Sequence, residues 1–139
     1  MITISQLRES SMRYIDSQSI ALIYMLKALD EILILDNEIL VYPKNLYCRD
    51  EDLILYIFTP TYQLITITYD LEVIRVVTRS LRYLVKSEYQ LAENCHRLIL
   101  SFDDDEILCF QPQKDTTLPY VKEFNSQLVL ICRYLQEKY

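Results

Sequence analysis

Residues 71–94 read LEVIRVVTRSLRYLVKSEYQLAEN, and the way this stretch folds decides the fold of the chain. Two periodicities compete in it. Ile74, Val77, Leu81, Leu84 and Val85 fall on one helical stripe with Asp70 placed to cap it, whereas Val73, Ile74, Val76, Val77 and Thr78 are β-branched and suit a pleated strand. Weighting the branched run gives two strands, about 72–78 and 81–87, with the helix as the competing reading.

Upstream, Leu53 to Phe58 is a short, nearly continuous apolar run punctuated by Pro60, the pattern of a buried strand. Gln63 to Tyr69 alternates, with Ile65, Ile67 and Tyr69 on one face and Leu64, Thr66 and Thr68 on the other. Further back, Ile32 to Leu35 and Ile39 to Tyr42 flank Asp36-Asn37, a two-residue hairpin turn, and Pro43 is expected to end the second strand. Downstream, Arg97 to Phe102 and Glu106 to Phe110 alternate on either side of Asp103, Asp104 and Asp105, a further hairpin that Pro112 closes.

Helices are expected at both ends. Thr3 and Gln6 have the spacing of a capping box, and apolar residues from Leu7 to Leu29 fit one or two helical segments with a break near Asp16 to Ser19, ending near Ala28. Thr117 is placed to cap a final helix with Pro119 in its first turn. Val121, Phe124, Leu128, Ile131 and Leu135 give that helix an apolar face at spacings of three and four. The expectation is one α+β domain over 1–139: a helical region at 1–29, a bent antiparallel multi-stranded sheet at 31–112, and an amphipathic helix at 117–138 packed on the sheet.

Successive antiparallel strands closed by one C-terminal amphipathic helix resemble the pleckstrin-homology-like superfold of small bacterial-type domains, in which such a helix plugs one end of a bent seven-stranded sheet. The residues that carry the resemblance are Arg97-Leu-Ile-Leu-Ser-Phe-Asp-Asp-Asp-Glu-Ile-Leu-Cys-Phe-Gln-Pro112 and the helix from Pro119 to Glu137. It covers about 31–138 and leaves the N-terminal helical region outside. The resemblance implies a binding module without catalytic residues. Lipid-binding members use basic residues and often glycines in the first hairpin loop. Here that turn is Asp36-Asn37 flanked by Glu38, so phosphoinositide binding is not carried over.

Composition narrows the function classes. The chain of 139 residues has no glycine, which excludes the usual Walker loop, dinucleotide fingerprint and nucleophile elbow, all of which need backbone without a Cβ. Turns that require positive φ then fall to Asn and Asp. The net charge of -6 opposes nucleic acid and anionic membranes, and no apolar run approaches the roughly 20 residues of a bilayer span. Scattered cysteines and the absence of a basic-then-apolar leader point to free thiols and a cytoplasmic location.

Few constellations carry chemistry. Cys95 and His96, with Glu93 and Asn94 nearby, are a nucleophile beside a base, but on a strand their side chains diverge, and a structural cysteine beside a surface histidine is the plainer reading. Cys48, Cys95, Cys109 and His96 lack the short-spaced pairs of a zinc site. Asp103, Asp104, Asp105 and Glu106 lack the glycine and ligand spacing of a calcium loop and read as a solvated turn. Arg75, Arg79, Arg82 and Lys86 would align on a helix as a basic stripe for nucleic acid or an acidic partner, and would disperse on strands. Twelve tyrosines, among them Tyr56, Tyr62, Tyr69, Tyr83, Tyr89, Tyr120 and Tyr134, suit a protein contact as well as core rims. The reading is a non-catalytic protein-interaction module, with a protein partner or a second copy expected. No catalytic residue, cofactor or metal is assigned. The rivals are a small thiol enzyme using Cys95 and His96, and nucleic-acid binding through the four basic residues.

Overall fold

The β-branched run prevails. The computed structural model describes residues 1–13, 16–33 and 39–137. In it, helices α1 (Ile4–Arg13) and α2 (Ser17–Ile32) precede strands β1 (Leu40–Lys44), β2 (Ile54–Phe58), β3 (Gln63–Asp70), β4 (Val73–Ser80), β5 (Leu84–Ala92), β6 (Cys95–Phe102) and β7 (Ile107–Phe110). A short helix α3 (Pro112–Asp115) and a long one, α4 (Val121–Glu137), complete the chain. The strands pair antiparallel in sequence order and divide into a four-stranded sheet, β1 to β4, and a three-stranded sheet, β5 to β7. The protein is α+β, and its C-terminal helix packs on the sheet.

Register explains the layering. Side chains alternate along a strand, so Val41, Leu55, Ile57, Ile65, Ile67 and Tyr69 share one face of the first sheet. Helix α2 covers that face, where Tyr24 stacks on Tyr69 with ring centroids 5.5 Å apart. The opposite face presents Tyr42, Tyr56, Phe58 and Leu64 to the second sheet. Phe110 enters among those rings edge-on, 5.1 Å from Tyr42 and 4.9 Å from Tyr56, while Phe124 and Tyr134 of α4 reach Tyr42 and Phe58. Full burial of each such side chain is worth about 1.5–3 kcal/mol, with about 0.5–1.5 kcal/mol more for each edge-to-face pair. Burial pushes the Tyr56 and Tyr134 hydroxyls up to about 12, so both rings stay neutral.

Several local expectations hold. Thr3 and Gln6 exchange the reciprocal bonds of a capping box, each 3.2 Å. Asp16 caps α2 by accepting from the Ser19 N–H, which places the helix break where the sequence suggested it. Arg8 of α1 forks onto Asp30 of α2 and, through that hydrogen bond, holds its carboxyl below the usual range. The α4 residues Phe124, Leu128, Ile131 and Leu135 are buried as read.

Others are corrected. Ile32, expected in a strand, is the last residue of α2, because the helical ladder runs past Ala28 until the Leu33 N–H closes on Leu29. Residues 34–38 of that first hairpin, including Asp36-Asn37, lie outside the described residues, and its second strand falls in β1, which pairs with β2. Pro43 sits inside β1 rather than ending it, and β1 is an edge strand, where a missing N–H is tolerated. Residues 81–83, expected in the second strand, form a 3-10 turn at which the chain passes from one sheet to the other. Fully buried Leu81 anchors the turn, and Ser80 caps it by accepting from the Arg82 N–H. Strand β5 therefore begins later and runs further than 81–87. Pro112 opens α3 instead of only closing a hairpin, and Thr117 makes no side-chain cap, since a 3-10 turn at Leu118–Tyr120 intervenes before α4.

Candidate functional site

Two segments are zipped together at one end of the molecule. The connection after β1 and the segment after α3 meet in a parallel bridge between Leu46 and Thr116. The Thr116 hydroxyl donates to the Leu46 carbonyl at 2.9 Å, and the Asn45 N–H to the Asp115 carbonyl at 2.7 Å. Beneath them the buried Asp115 carboxylate accepts from the Tyr42 hydroxyl and the Gln111 N–H, each at 2.7 Å, with Lys44 3.9 Å away. Burial raises the Asp115 carboxyl above its usual range against those hydrogen bonds, and burial also raises Tyr42.

This zipper carries two aromatic rings to the surface. Tyr47 from one segment and Tyr120 from the other stack with centroids 4.2 Å apart. Tyr47 is held in three ways, by that stack, by its hydroxyl and by its backbone. Its hydroxyl is 2.8 Å from Ser10 Oγ, its N–H donates to Gln18 Oε1 at 2.7 Å, and Gln18 Nε2 donates to the Asn45 carbonyl. The backbone there is left-handed, with φ of 72° at Asn45 and 71° at Tyr47. Asn tolerates that region. A tyrosine in it carries strain of about 1–2 kcal/mol, which these bonds hold in place.

The stacked pair stands between two adjoining hollows. One, about 250 Å³, is bounded by Ile2, Leu7, Leu46, Phe124, Glu9 and Glu123. The other, about 690 Å³, is bounded by Asp16, Ser17, Gln18, Leu22, Arg49 and Asp50. Ser10, Leu46, Tyr47 and Tyr120 belong to both, so the two adjoin along an aromatic divider and are taken together as one cleft. Its walls come from α1, the start of α2, the connection after β1 and the start of α4. Among the described lining residues, Glu9, Asp16, Asp50 and Glu123 are exposed on its rim beside the guanidinium of Arg49.

The residues singled out by sequence lie elsewhere. Cys95 and His96 point to opposite faces of β6: Gln111 approaches Cys95 Sγ at 3.7 Å, while His96 Nδ1 bonds the Tyr89 hydroxyl. The pair is therefore not brought together. Burial raises the Cys48 and Cys132 thiols, which disfavours the nucleophilic thiolate at both. Arg79 lies 3.7 Å over the Phe102 ring and is bound by Asp104 and Glu106, and Lys86 pairs with Glu88. Two of the four charges in the basic stripe are thus engaged within the chain. Among the described residues, no group of three His, Cys, Asp or Glu side chains is placed to hold a metal ion, and no helix is long and apolar enough to cross a membrane. Of the named tyrosines only Tyr120 lies in the cleft. Tyr47, Gln18 and Asp115 were missed, and only Asn45, in a chain without glycine, hinted at an unusual turn there.

Comparison with protein-family models, curated proteins and solved structures gives no match.

Proposed function

We propose that the protein is a non-catalytic interaction module that receives an extended, basic segment of another protein in the cleft around Tyr47 and Tyr120. The observation that carries this reading is the strained, triply held Tyr47 stacked on Tyr120 between two adjoining hollows. A large, rigid ring with a polar edge is the side chain that most often anchors a protein contact. Backbone strain kept in place by surrounding bonds is a feature of sites under functional constraint. The rim adds direction, since four carboxylates against one guanidinium among the described lining residues favour a cationic segment. Seven strands and a C-terminal helix also support the pleckstrin-homology-like reading of 31–138, with the two N-terminal helices as an addition that supplies one wall of the cleft.

Affinity capture from the native cell, comparing the wild type with Tyr120→Ala and Asp50→Lys, tests the proposal. A partner held by the wild type should be lost at least about tenfold with Tyr120→Ala, the usual effect of truncating an aromatic anchor, and more weakly with Asp50→Lys. Its retention should fall with salt. Recovery of nothing above background, or of a partner indifferent to both substitutions, refutes the reading.

A further inference from the structure

Four strand edges end the two sheets, and three are blocked. Strand β1 has five residues including Pro43, and Gln127 Nε2 takes its Val41 carbonyl at 2.7 Å. Strand β7 has four residues, and Lys44 Nζ takes its Cys109 carbonyl at 2.9 Å. Strand β4 carries Arg75 exposed at mid-edge, a charge of the kind that guards an edge against pairing. Strand β5 differs from all three. It has nine residues, pairs among the described strands only with β6, and bends at an irregularity between Leu84 and Lys86, after which 86–92 runs regularly to the turn at Glu93-Asn94. Within 86–92, alternate residues direct N–H and C=O away from β6, and no described group meets them. Leu91 is 71% exposed beside them.

We infer that β5 is a self-association edge, along which a second copy of this chain pairs antiparallel about a two-fold axis at Tyr89. A second copy fits because this register alone pairs the whole regular run, 86–92, with itself. Centred on Tyr89, the whole regular run pairs with itself: Tyr89 faces its own copy, Ser87 faces Leu91, Glu88 faces Gln90, and Lys86 faces Ala92 next to Glu93. Centred on Glu88, two carboxylates would stand opposite each other, which is unfavourable. Centred on Ser87, the pairing would run into the irregularity before Lys86. The face shared by Tyr89 and Leu91 closes over Leu91, and the Glu88 carboxylate, which already accepts from its own Gln90 at 2.7 Å, gains a second amide donor across the axis. Two chains of charge -6 repel at long range, but the Debye length of about 8 Å at physiological salt confines that repulsion. A strand pair alone buries less than the roughly 1,200 Å² of a standard interface, so the dimer is transient. The edge shares no residue with the cleft.

Sedimentation velocity of the full chain across about 1 μM to 1 mM tests this, with dimer expected to grow in over that range. Gln90 is exposed, so its substitutions leave the fold intact. Gln90→Lys, facing Glu88 twice across the axis, should tighten the dimer about threefold or more, and Gln90→Glu should loosen it by a similar factor. Amide protection along 86–92 should rise with concentration in the wild type. A monomer throughout, a dimer indifferent to both substitutions, or opposite signs for the two, as the Glu88-centred register would give, overturns the inference.

Discussion

Gln127 is the side chain whose loss should be felt most widely. It is fully buried on α4, accepts from the Ile2 N–H at 2.9 Å, and donates Nε2 to the Ile2 carbonyl at 3.2 Å and to the Val41 carbonyl at 2.7 Å. One amide thus ties the N-terminal segment, an edge strand and the last helix. Gln127→Leu keeps the volume roughly constant and removes all three bonds. The Val41 carbonyl, on a residue 1% exposed, is then left without its donor at a cost of about 1–3 kcal/mol. The Ile2 groups can regain water only by releasing Ile2, 5% exposed, from the core, which forfeits up to about 1.5–3 kcal/mol of burial. Leucine recovers about 1 kcal/mol of this through its own apolar surface. The expected net loss is about 2–4 kcal/mol, or about 10 °C in Tm for a chain of this size. With no tryptophan in the chain, urea unfolding is best followed by far-UV circular dichroism, and the midpoint should fall at unchanged slope. Removing residues 1–3 first should shrink the effect to its Val41 part. A loss under about 0.5 kcal/mol, or any gain, would show that the amide is not the tie that its geometry describes.

Three further outcomes are expected. Leu71 and Glu72 form a two-residue turn between β3 and β4 with both φ angles positive, 49° and 65°, so replacing them with Asn-Gly should raise stability by about 1–2 kcal/mol in urea; a loss would contradict the strain assigned there. Arg79→Met removes the cation over Phe102 together with its bonds to Asp104 and Glu106, and the ring contact alone should cost about 0.5–2 kcal/mol, most of it surviving 1 M salt; a difference abolished by salt would reduce the contact to surface ion pairing. The raised Asp115 carboxyl means that the folded chain binds more protons than the unfolded one above about pH 3.9, so this group's contribution declines as pH climbs through its folded value. Asp115→Asn, which keeps an acceptor for Tyr42 and Gln111, should therefore gain on the wild type between pH 4 and pH 7; parallel stability curves would refute the shift.

The fold was largely legible, because its signals are local. The branched run at 73–78, the alternation at 63–69, the capping box at Thr3 and Gln6, and the apolar face of α4 each depend on neighbours in sequence. What escaped depends on partners far away. Nothing near Leu81 announces that its burial and its N–H bond to the Tyr62 carbonyl will turn the chain from one sheet to the other. Helix α2 outran its expected end because Ile32 and Leu33 look the same in a helix as in a strand. The cleft was illegible for the same reason: Tyr47 and Tyr120 are 73 residues apart and meet only because Leu46 bridges Thr116. Candidate chemistry at Cys95 and His96 failed for a reason the sequence did contain, the alternation of side chains along a strand.

The missing glycines bind these observations together. Seven described residues adopt positive φ, and Asn45, Asn94 and Asp105 are the kinds expected to substitute for glycine, whereas Tyr47, Tyr62, Leu71 and Glu72 are not. At Leu71 the side chain is 88% exposed, so nothing compensates the strain and relief should come free. At Tyr47 the side chain is stacked and hydrogen-bonded, so relief would take the ring away with it. The same backbone conformation is therefore unsupported in one turn and braced in the other. The difference lies in what the side chain does, and at Tyr47 the ring is held between two hollows of about 250 and 690 Å³. A site recognised in this way rests on a conflict between a residue and its backbone, a signal that needs no catalytic motif and that a glycine at the same position would have erased.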